Sequence, residues 1–207
     1  DRIHGNLGLV ITNCISVISE DVGLRNFGIE NQYQKEDLKK LIEMCHKNET
    51  KILIQLGYPS KGHHRHETIT QWSTAELEAI KNAFVSAARS AKELGADGIE
   101  LHGANMFFLN MFSSPITNTR TDRYGGDVKG RLRLAKEILV GIQTFADERF
   151  LISYRMGWNQ DLNTDLETAK ELQRSGIDLL HISYGIREAD RYMPEKYPDV
   201  ICYPGSS

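Results

Sequence analysis

Short apolar segments alternate along the chain with longer segments in which apolar residues recur at helical spacing. The short segments predict five β-strands, and their scarce alternation is typical of parallel strands covered by helices. We predict these strands at residues 7–12, 51–56, 98–101, 150–156 and 178–183. The longer segments predict helices at residues 35–47, 73–94, 106–112, 128–145 and 164–174. The chain is therefore a βα repeat of the α/β class.

Local signals mark the ends of several helices. The pattern Ser/Thr-x-x-Glu at residues 73–76 and 164–167 predicts two capping boxes, in which side chain and backbone satisfy each other at the start of a helix. Gly95 and Gly176 follow predicted helices and suit a left-handed C-terminal cap. The two units that contain these glycines resemble each other, and each ends its strand with histidine.

Two architectures fit this order of elements. A closed (β/α)₈ barrel needs eight strands and about 250 residues, so 207 residues with five predicted strands would form an incomplete TIM barrel. An open five-stranded α/β sheet is the competing architecture. The sequence contains neither Gly-x-Gly-x-x-Gly after the first strand nor a Gly-Lys-Ser/Thr loop, the usual nucleotide-binding fingerprints. The first residue is not methionine, and we expect the natural protein to be longer.

Composition narrows the class of partner. With 40% hydrophobic residues and a mean hydropathy of −0.41, the chain has the composition of a soluble globular domain. A formal charge of −3 and a pI near 6.2 provide no basic field, so we expect neither nucleic acid nor a membrane as partner. Cys14, Cys45 and Cys202 are too few and too widely spaced for a disulfide framework, which favours the cytoplasm. No apolar run has the length of a membrane span, and residues 1–6 contain no signal peptide.

Catalytic groups of parallel barrels lie at the C-terminal ends of the strands. The polar residues at those positions are Gln55, His102, Asn105, Arg155, His181 and Ser183. His102 and Asn105 stand three residues apart where a strand gives way to a helix, so both side chains can point at one small volume. The pair either caps the following helix or donates two hydrogen bonds to one carbonyl oxygen.

The remaining polar residues also have two interpretations. Gln55 suits the edge of a flat heterocycle, or is a core glutamine bonded to backbone. Arg155 faces an anion or electron-rich ring, or forms a salt bridge to a loop carboxylate. For His181 and Ser183 we favour a role as residues that line the barrel. No catalytic triad is predicted, because no acid completes one.

A separate histidine cluster, residues 63–66 (His-His-Arg-His), lies in a polar loop between a strand and a helix. No cysteine or carboxylate stands nearby at ligand spacing, so we expect a solvated loop rather than a metal site.

Two segments carry a family resemblance: GADGIELHGAN at residues 95–105, and SPITNTRTDRYGG at residues 114–126 with Arg131 soon after. They resemble the Old Yellow Enzyme family, FMN-dependent NADH:flavin oxidoreductases and ene-reductases built on a (β/α)₈ barrel. Further matches follow in the family's order and cover most of residues 5–185. The resemblance implies a single TIM-barrel domain over residues 1–207 that lacks the family's first strand and its C-terminal phosphate-binding strands.

The resemblance also implies roles. His102 and Asn105 match the pair that binds the carbonyl oxygen of the oxidising substrate. Gln55 matches the glutamine at the pyrimidine edge of the flavin, and Arg155 matches the arginine near its N1/C2 carbonyl region. The cofactor implied is FMN, with NADH or NADPH as reductant and a small-molecule α,β-unsaturated carbonyl, quinone or similar acceptor. No metal is implied, and a homo-oligomer is left open.

Three departures from the family pattern stand out. Phe107 occupies the position of the usual proton donor, a tyrosine, and phenylalanine has no proton to give. Residues 58–61 (Tyr-Pro-Ser-Lys) replace His-x-Gly-Arg, and Gly130 replaces an asparagine. Phe107 and the missing terminal strands keep a second hypothesis open, that of a non-catalytic fragment or pseudoenzyme with weak or no flavin binding. A third hypothesis, an unrelated barrel enzyme such as an aldolase, would need a Schiff-base lysine or metal ligands at strand ends, and the sequence shows neither.

Overall fold

The computed structural model describes residues 7–18, 27–29, 32–58, 69–105, 107–158 and 161–183. The strands are β1 (Leu9–Ile11), β2 (Ile15–Ser16), β3 (Phe27–Gly28), β4 (Lys51–Gly57), β5 (Gly98–Gly103), β6 (Leu151–Gly157) and β7 (Leu179–Ser183). The helices are α1 (Gln32–Lys47), α2 (Thr74–Glu93), α3 (Phe108–Ser113), α4 (Val128–Arg131), α5 (Arg133–Gln143) and α6 (Leu162–Arg174), with a 3₁₀ turn at Ile69–Gln71. A search of these residues finds no helix with the length and apolar character of a membrane span.

All strands pair in parallel within one sheet of order β3-β2-β4-β5-β6-β7. β1 pairs with the first three residues of β4, and β2 pairs with its last two. β1 and β2 therefore lie one after the other along the same edge of β4. From β4 to β7 each strand lies beside its predecessor in the sequence. These four strands show no reversal of order of the kind that marks a doubly wound sheet, and they follow the order of a barrel. Among the described strands, the two-residue β3 departs from this order, because it lies on the far side of β2.

The five predicted strands are confirmed as β1, β4, β5, β6 and β7. The strands β2 and β3 were not predicted. Each has two residues, too few to show any periodicity, and each exists because a neighbouring strand supplies hydrogen-bond partners. Tertiary pairing therefore created both.

Capping explains where two helices begin. Before α2, Ser73 Oγ accepts from the backbone N–H of Glu76, and the Glu76 carboxylate accepts from the backbone N–H of Ser73, so the first predicted capping box is confirmed. The second, at residues 164–167, is wrong. Helix α6 begins at Leu162, because the carboxylate of Asp161 accepts from the Thr164 backbone N–H at 2.9 Å and caps the helix three residues earlier.

The other helix ends agree in part with the predictions. Gly95 and Gly176 adopt φ values of +93° and +81°, the left-handed conformation predicted for them. The helix predicted at residues 128–145 is two helices, α4 and α5, which meet at Leu132. Met106, the predicted start of the next helix along, lies outside the described residues, and α3 begins at Phe108.

The two similar βα units share a structural device. Asp97 Oδ2 accepts from the Ile52 backbone N–H at 2.9 Å, and Asp178 Oδ2 accepts from the Ile152 backbone N–H at 2.8 Å. Each carboxylate thus ties the segment before its own strand to the start of the neighbouring strand. These contacts lie at the N-terminal end of the sheet, where barrel residues serve stability.

The segment 114–126 and Arg131, which carry the family resemblance, also have structural roles. Asn118 Nδ2 donates to the carbonyl oxygens of Phe112 and Tyr124 at 2.7 and 2.8 Å. Arg131 Nε donates to the carbonyl oxygen of Ser113 at 2.9 Å. These side chains satisfy backbone groups around α3, so the segment holds in place the helix that follows the end of β5.

The two faces of the sheet differ in chemistry. One face packs against the helices and is apolar: Ile52, Ile54, Leu56, Ile99, Leu101, Ile152 and Tyr154 are all buried in the core. The opposite, inner face carries Gln55, Glu100, His102, Ser153, Arg155, His181 and Ser183, because successive strand residues point to opposite faces. The prediction that the strands rarely alternate is therefore wrong for their C-terminal halves.

Candidate active site

The polar side chains of the inner face form two rows across neighbouring strands. Strand register aligns Gln55, Glu100 and Ser153 in a lower row. It aligns His102, Arg155 and His181 in an upper row, nearer the C-terminal strand ends. The structure thus brings the candidate residues of β4, β5 and β6 to one end of the sheet, where a barrel has its active site.

His102 is a neutral hydrogen-bond donor in this environment. Its side chain is buried, and burial, together with the positive charges of Arg155 and His181, lowers its pKa from 6.5 to about 3. Its Nδ1 lies 3.4 Å from the backbone nitrogen of Ala104 and accepts that N–H. The proton of the neutral ring is therefore on Nε2. No described residue accepts a hydrogen bond from this Nε2–H group.

Asn105 follows β5 in a left-handed conformation, with φ of +55°. Asparagine is among the few residues that tolerate this region. Ser183 Oγ, at the end of β7, donates to Asn105 Oδ1 at 3.4 Å. Because the oxygen of the amide faces Ser183, its Nδ2 group is left to donate elsewhere, and no described residue accepts from it.

The structure excludes the helix-cap interpretation of this pair. The N-cap of α3 is Phe107, and no side chain makes a capping hydrogen bond there. The acceptor atoms of His102 and Asn105 instead accept hydrogen bonds from neighbouring residues. This leaves the Nε2–H group of His102 and the NH₂ group of Asn105 as donors. We call these two residues the clamp pair.

Arg155 joins the clamp pair to the rest of the upper row. Its Nη2 donates to Ser183 Oγ at 3.0 Å, so Ser183 connects the guanidinium to Asn105. The Nε of Arg155 is buried and has no partner among the described residues. No described carboxylate forms an ion pair with this arginine, so the structure does not support the salt-bridge interpretation.

Gln55 makes side-chain contacts in place of the backbone contacts of a core glutamine. Its Nε2 donates to Glu100 Oε1 at 2.7 Å. The same carboxylate accepts from Ser153 Oγ at 2.9 Å and lies 3.0 Å from His181 Nδ1 through its other oxygen. Glu100 is therefore the centre of the lower row.

Phe107, Cys14 and Gly57 form an apolar wall beside the clamp pair. The Phe107 ring stacks on the His102 imidazole with centroids 3.8 Å apart. A Cβ on Gly57 would lie 2.4 Å from Cys14 Sγ and 3.3 Å from Phe107 Cδ1, so a larger residue there would force the Cys14 side chain to move. Burial raises the pKa of the Cys14 thiol to about 12, which keeps it protonated and unreactive.

The model of the NADH:flavin oxidoreductase / NADH oxidase family matches residues 58–184, more than half of the chain. The chain belongs to this family. An NADPH dehydrogenase of Halalkalibacterium halodurans is 30% identical over 204 residues, which cover 89% of the chain and 60% of that relative. An NADH oxidase of Thermoanaerobacter brockii is 39% identical over 120 residues, 55% of the chain and 18% of that relative. The chain thus spans about 60% of the length of the NADPH dehydrogenase.

Solved structures agree on the fold. Morphinone reductase superposes with a TM-score of 0.73 at 22% identity, over 87% of the chain and 60% of that protein. A 2-naphthoyl-CoA reductase complex superposes with a TM-score of 0.78 at 22% identity, over 90% of the chain and 34% of that protein. The fold is that of an incomplete TIM barrel of the Old Yellow Enzyme type, so the open sheet is excluded. Family membership also excludes the aldolase hypothesis, and it confirms FMN with NADH or NADPH as the family's cofactors.

Sequence reasoning missed Glu100 and undervalued Ser183. Both stand at alternate positions of otherwise apolar strands, and that spacing of polar residues was the available signal. Gly130 is explained by packing, since a Cβ there would lie 2.0 Å from the Gly125 carbonyl oxygen. The histidines of residues 63–66 and the segment 59–61 lie outside the described residues. Within the described part of the chain, no cluster of histidine, cysteine and carboxylate side chains could hold a metal ion.

Proposed function

We propose that this chain is the central part of an FMN-dependent NAD(P)H oxidoreductase that passes hydride to a small carbonyl or quinone acceptor. The observation that carries the proposal is the clamp pair. His102 and Asn105 each use their acceptor atom on a neighbour, at 3.4 Å in both cases, and each keeps an N–H group to donate. Two such donors can hold one substrate oxygen.

The flavin would lie against Gln55 and Arg155. The buried Nε of Arg155 has no partner among the described residues, and a permanent cation with an unused N–H group suits an electron-rich ring. Gln55 keeps its amide oxygen and one N–H group beyond the contact with Glu100, which suits a heterocycle edge. Bound FMN supplies a group that accepts hydride from NAD(P)H and gives it to the acceptor.

The clamp pair would stabilise the negative charge that develops on the acceptor oxygen. Because burial and two nearby positive charges lower the pKa of His102 to about 3, the imidazole acts as a neutral donor and not as a general acid at physiological pH. A donor of this kind typically contributes about 3 kcal/mol to the stability of the transition state. His102 and Asn105 would together activate the acceptor toward hydride.

Phe107 indicates which acceptors are favoured. An alkene conjugated to a carbonyl must gain a proton on carbon, whereas a quinone gains its protons on oxygen atoms that exchange readily with water. Phe107 can supply no proton, and loss of a general acid costs about 10²- to 10⁴-fold in its step. We therefore propose that quinone-like acceptors are reduced faster than simple enones.

Flavin spectroscopy tests this function. The full-length protein is titrated with FMN, then with NADPH or NADH under nitrogen, and reoxidised with benzoquinone or cyclohexenone. We expect bound flavin, bleaching by the nucleotide, and faster reoxidation by benzoquinone. A full-length protein that binds no flavin would refute the proposal and support the non-catalytic hypothesis, which Phe107 also favours.

A further inference from the structure

The carboxylate of Glu100 is the most deeply buried charged group of the inner face, and the clamp chemistry does not use it. Glu100 is 0% exposed and stands in the middle of β5, two residues before His102. It lies on the inner face, among polar side chains, and not against the helices that form the apolar core.

Three donors from three other strands meet at this carboxylate. Gln55 of β4 donates to Oε1 at 2.7 Å, while Ser153 of β6 and His181 of β7 approach Oε2 at 2.9 and 3.0 Å. A carboxylate can only accept, so the direction of each of these hydrogen bonds is fixed. Glu100 therefore determines which atoms its three partners present elsewhere.

The consequence is sharpest for Gln55. Its amide could be turned over only by placing its oxygen against Glu100 Oε1, where two acceptors would repel each other. With Nε2 held by Glu100 at 2.7 Å, the amide offers one oxygen and one remaining N–H group to the strand ends. This pair of one acceptor and one donor matches a ring edge on which N–H and C=O groups alternate.

We propose that Glu100 is a positioning residue that fixes the amide of Gln55 in the orientation required by the pyrimidine edge of the flavin. The inference rests on the proposed function, because it assigns Gln55 to flavin binding. Stability alone explains the carboxylate poorly. Buried ionic groups are often replaceable by apolar residues of similar size without loss of stability, whereas a fixed hydrogen-bond pattern needs the carboxylate itself.

FMN affinity of the full-length protein, measured by quenching of flavin fluorescence, tests this role. Glu100→Gln keeps the size of the side chain but adds donors, so one partner loses its acceptor and Gln55 is free to turn over. We expect about tenfold weaker FMN binding, the scale of a lost hydrogen bond to a charged group. Glu100→Asp keeps the charge but withdraws it from Gln55, and it should weaken FMN binding similarly even if Glu100→Gln fails to fold.

A double-variant cycle separates positioning from general destabilisation. If Glu100 acts through Gln55, then Glu100→Gln should weaken FMN binding in the wild-type background and have no further effect in a Gln55→Met background. Independent, multiplicative effects of the two changes would overturn the proposal. So would FMN binding within twofold of wild type in both Glu100 variants.

Glu171 provides a matched control. It is also a buried carboxylate, 4% exposed, on helix α6, and it accepts from Lys136 of α5 and Arg174 of α6 at 3.0 and 2.7 Å. Glu171→Gln should leave FMN affinity within twofold of wild type, and an equal loss in this variant would overturn a specific role for Glu100. Failure of the wild-type protein to bind FMN would overturn the proposed function. Wild-type binding with unchanged FMN affinity in the Glu100 variants would overturn only the role of Glu100, so the two failures are distinguishable.

Discussion

Replacement of Asn105 by aspartate isolates the donor function of the clamp pair. Aspartate has nearly the same shape, tolerates the left-handed φ of +55°, and can still accept from Ser183 Oγ. At the free end of the side chain the Nδ2 donor becomes an oxygen acceptor, and the residue gains a negative charge. The fold and the contact with Ser183 should therefore survive, while the hydrogen bond to the acceptor oxygen is lost.

The magnitude follows from the number of donors. The clamp pair contributes two, and loss of one typically costs about 3 kcal/mol of transition-state stabilisation, or about 10²-fold in rate. Repulsion between the new carboxylate and the acceptor oxygen adds to that loss. We therefore expect at least about a 100-fold slower reoxidation of the reduced flavin by benzoquinone.

Stopped-flow absorbance measures this step apart from flavin reduction by NADPH. Asn105→Gly is the matched control, because it keeps the backbone conformation and removes the donor without adding repulsion, so its loss should be smaller than that of aspartate. Ferricyanide has no carbonyl oxygen, and its reduction should change less than threefold in either variant. A benzoquinone rate within threefold of wild type in Asn105→Asp would refute the clamp, and an equal loss with ferricyanide would assign the defect to the flavin.

Three further predictions concern single side chains. Phe107→Tyr should raise the rate of cyclohexenone reduction by about 10²- to 10⁴-fold, which gas chromatography of the product measures. An active variant with no gain in this rate would show that protonation is not limiting. Tyr154→Phe should raise the free energy of unfolding in urea by about 1 kcal/mol, because the Tyr154 hydroxyl is buried without a partner among the described residues; a loss of more than 1 kcal/mol would contradict this. The pKa of His102 is lowered in the folded state from 6.5 to about 3, so its stabilising effect is complete above pH 6.5 and declines as the pH falls toward 3. Wild type should lose up to about 1.4 kcal/mol of unfolding free energy per pH unit in that window relative to His102→Gln, and parallel pH profiles in urea titrations would argue against it.

The sequence by itself determined the βα order, the five main strands and the family. Apolar runs, the capping box at Ser73 and the left-handed Gly95 and Gly176 are local signals, and local signals survive without knowledge of the partner segments. The strand-end rule also placed Gln55 and Arg155 on the correct strands, because the C-terminal ends of parallel strands lie at one end of the sheet.

Only the tertiary structure decided what the polar residues do for one another. The alternatives for His102 and Asn105 could not be resolved from spacing, because a helix cap and an oxygen clamp need the same three-residue separation. The capping geometry of α3 argues against the cap, and the contacts with Ala104 and Ser183 are the basis of the clamp that we propose. The alternate spacing of Glu100 and Ser183 in apolar strands did not identify their partners, which lie 28 to 81 residues away in the chain and meet them only through strand register. Register is set by the packing of the whole sheet, and for that reason the orientation of each donor followed from the fold and not from the sequence pattern.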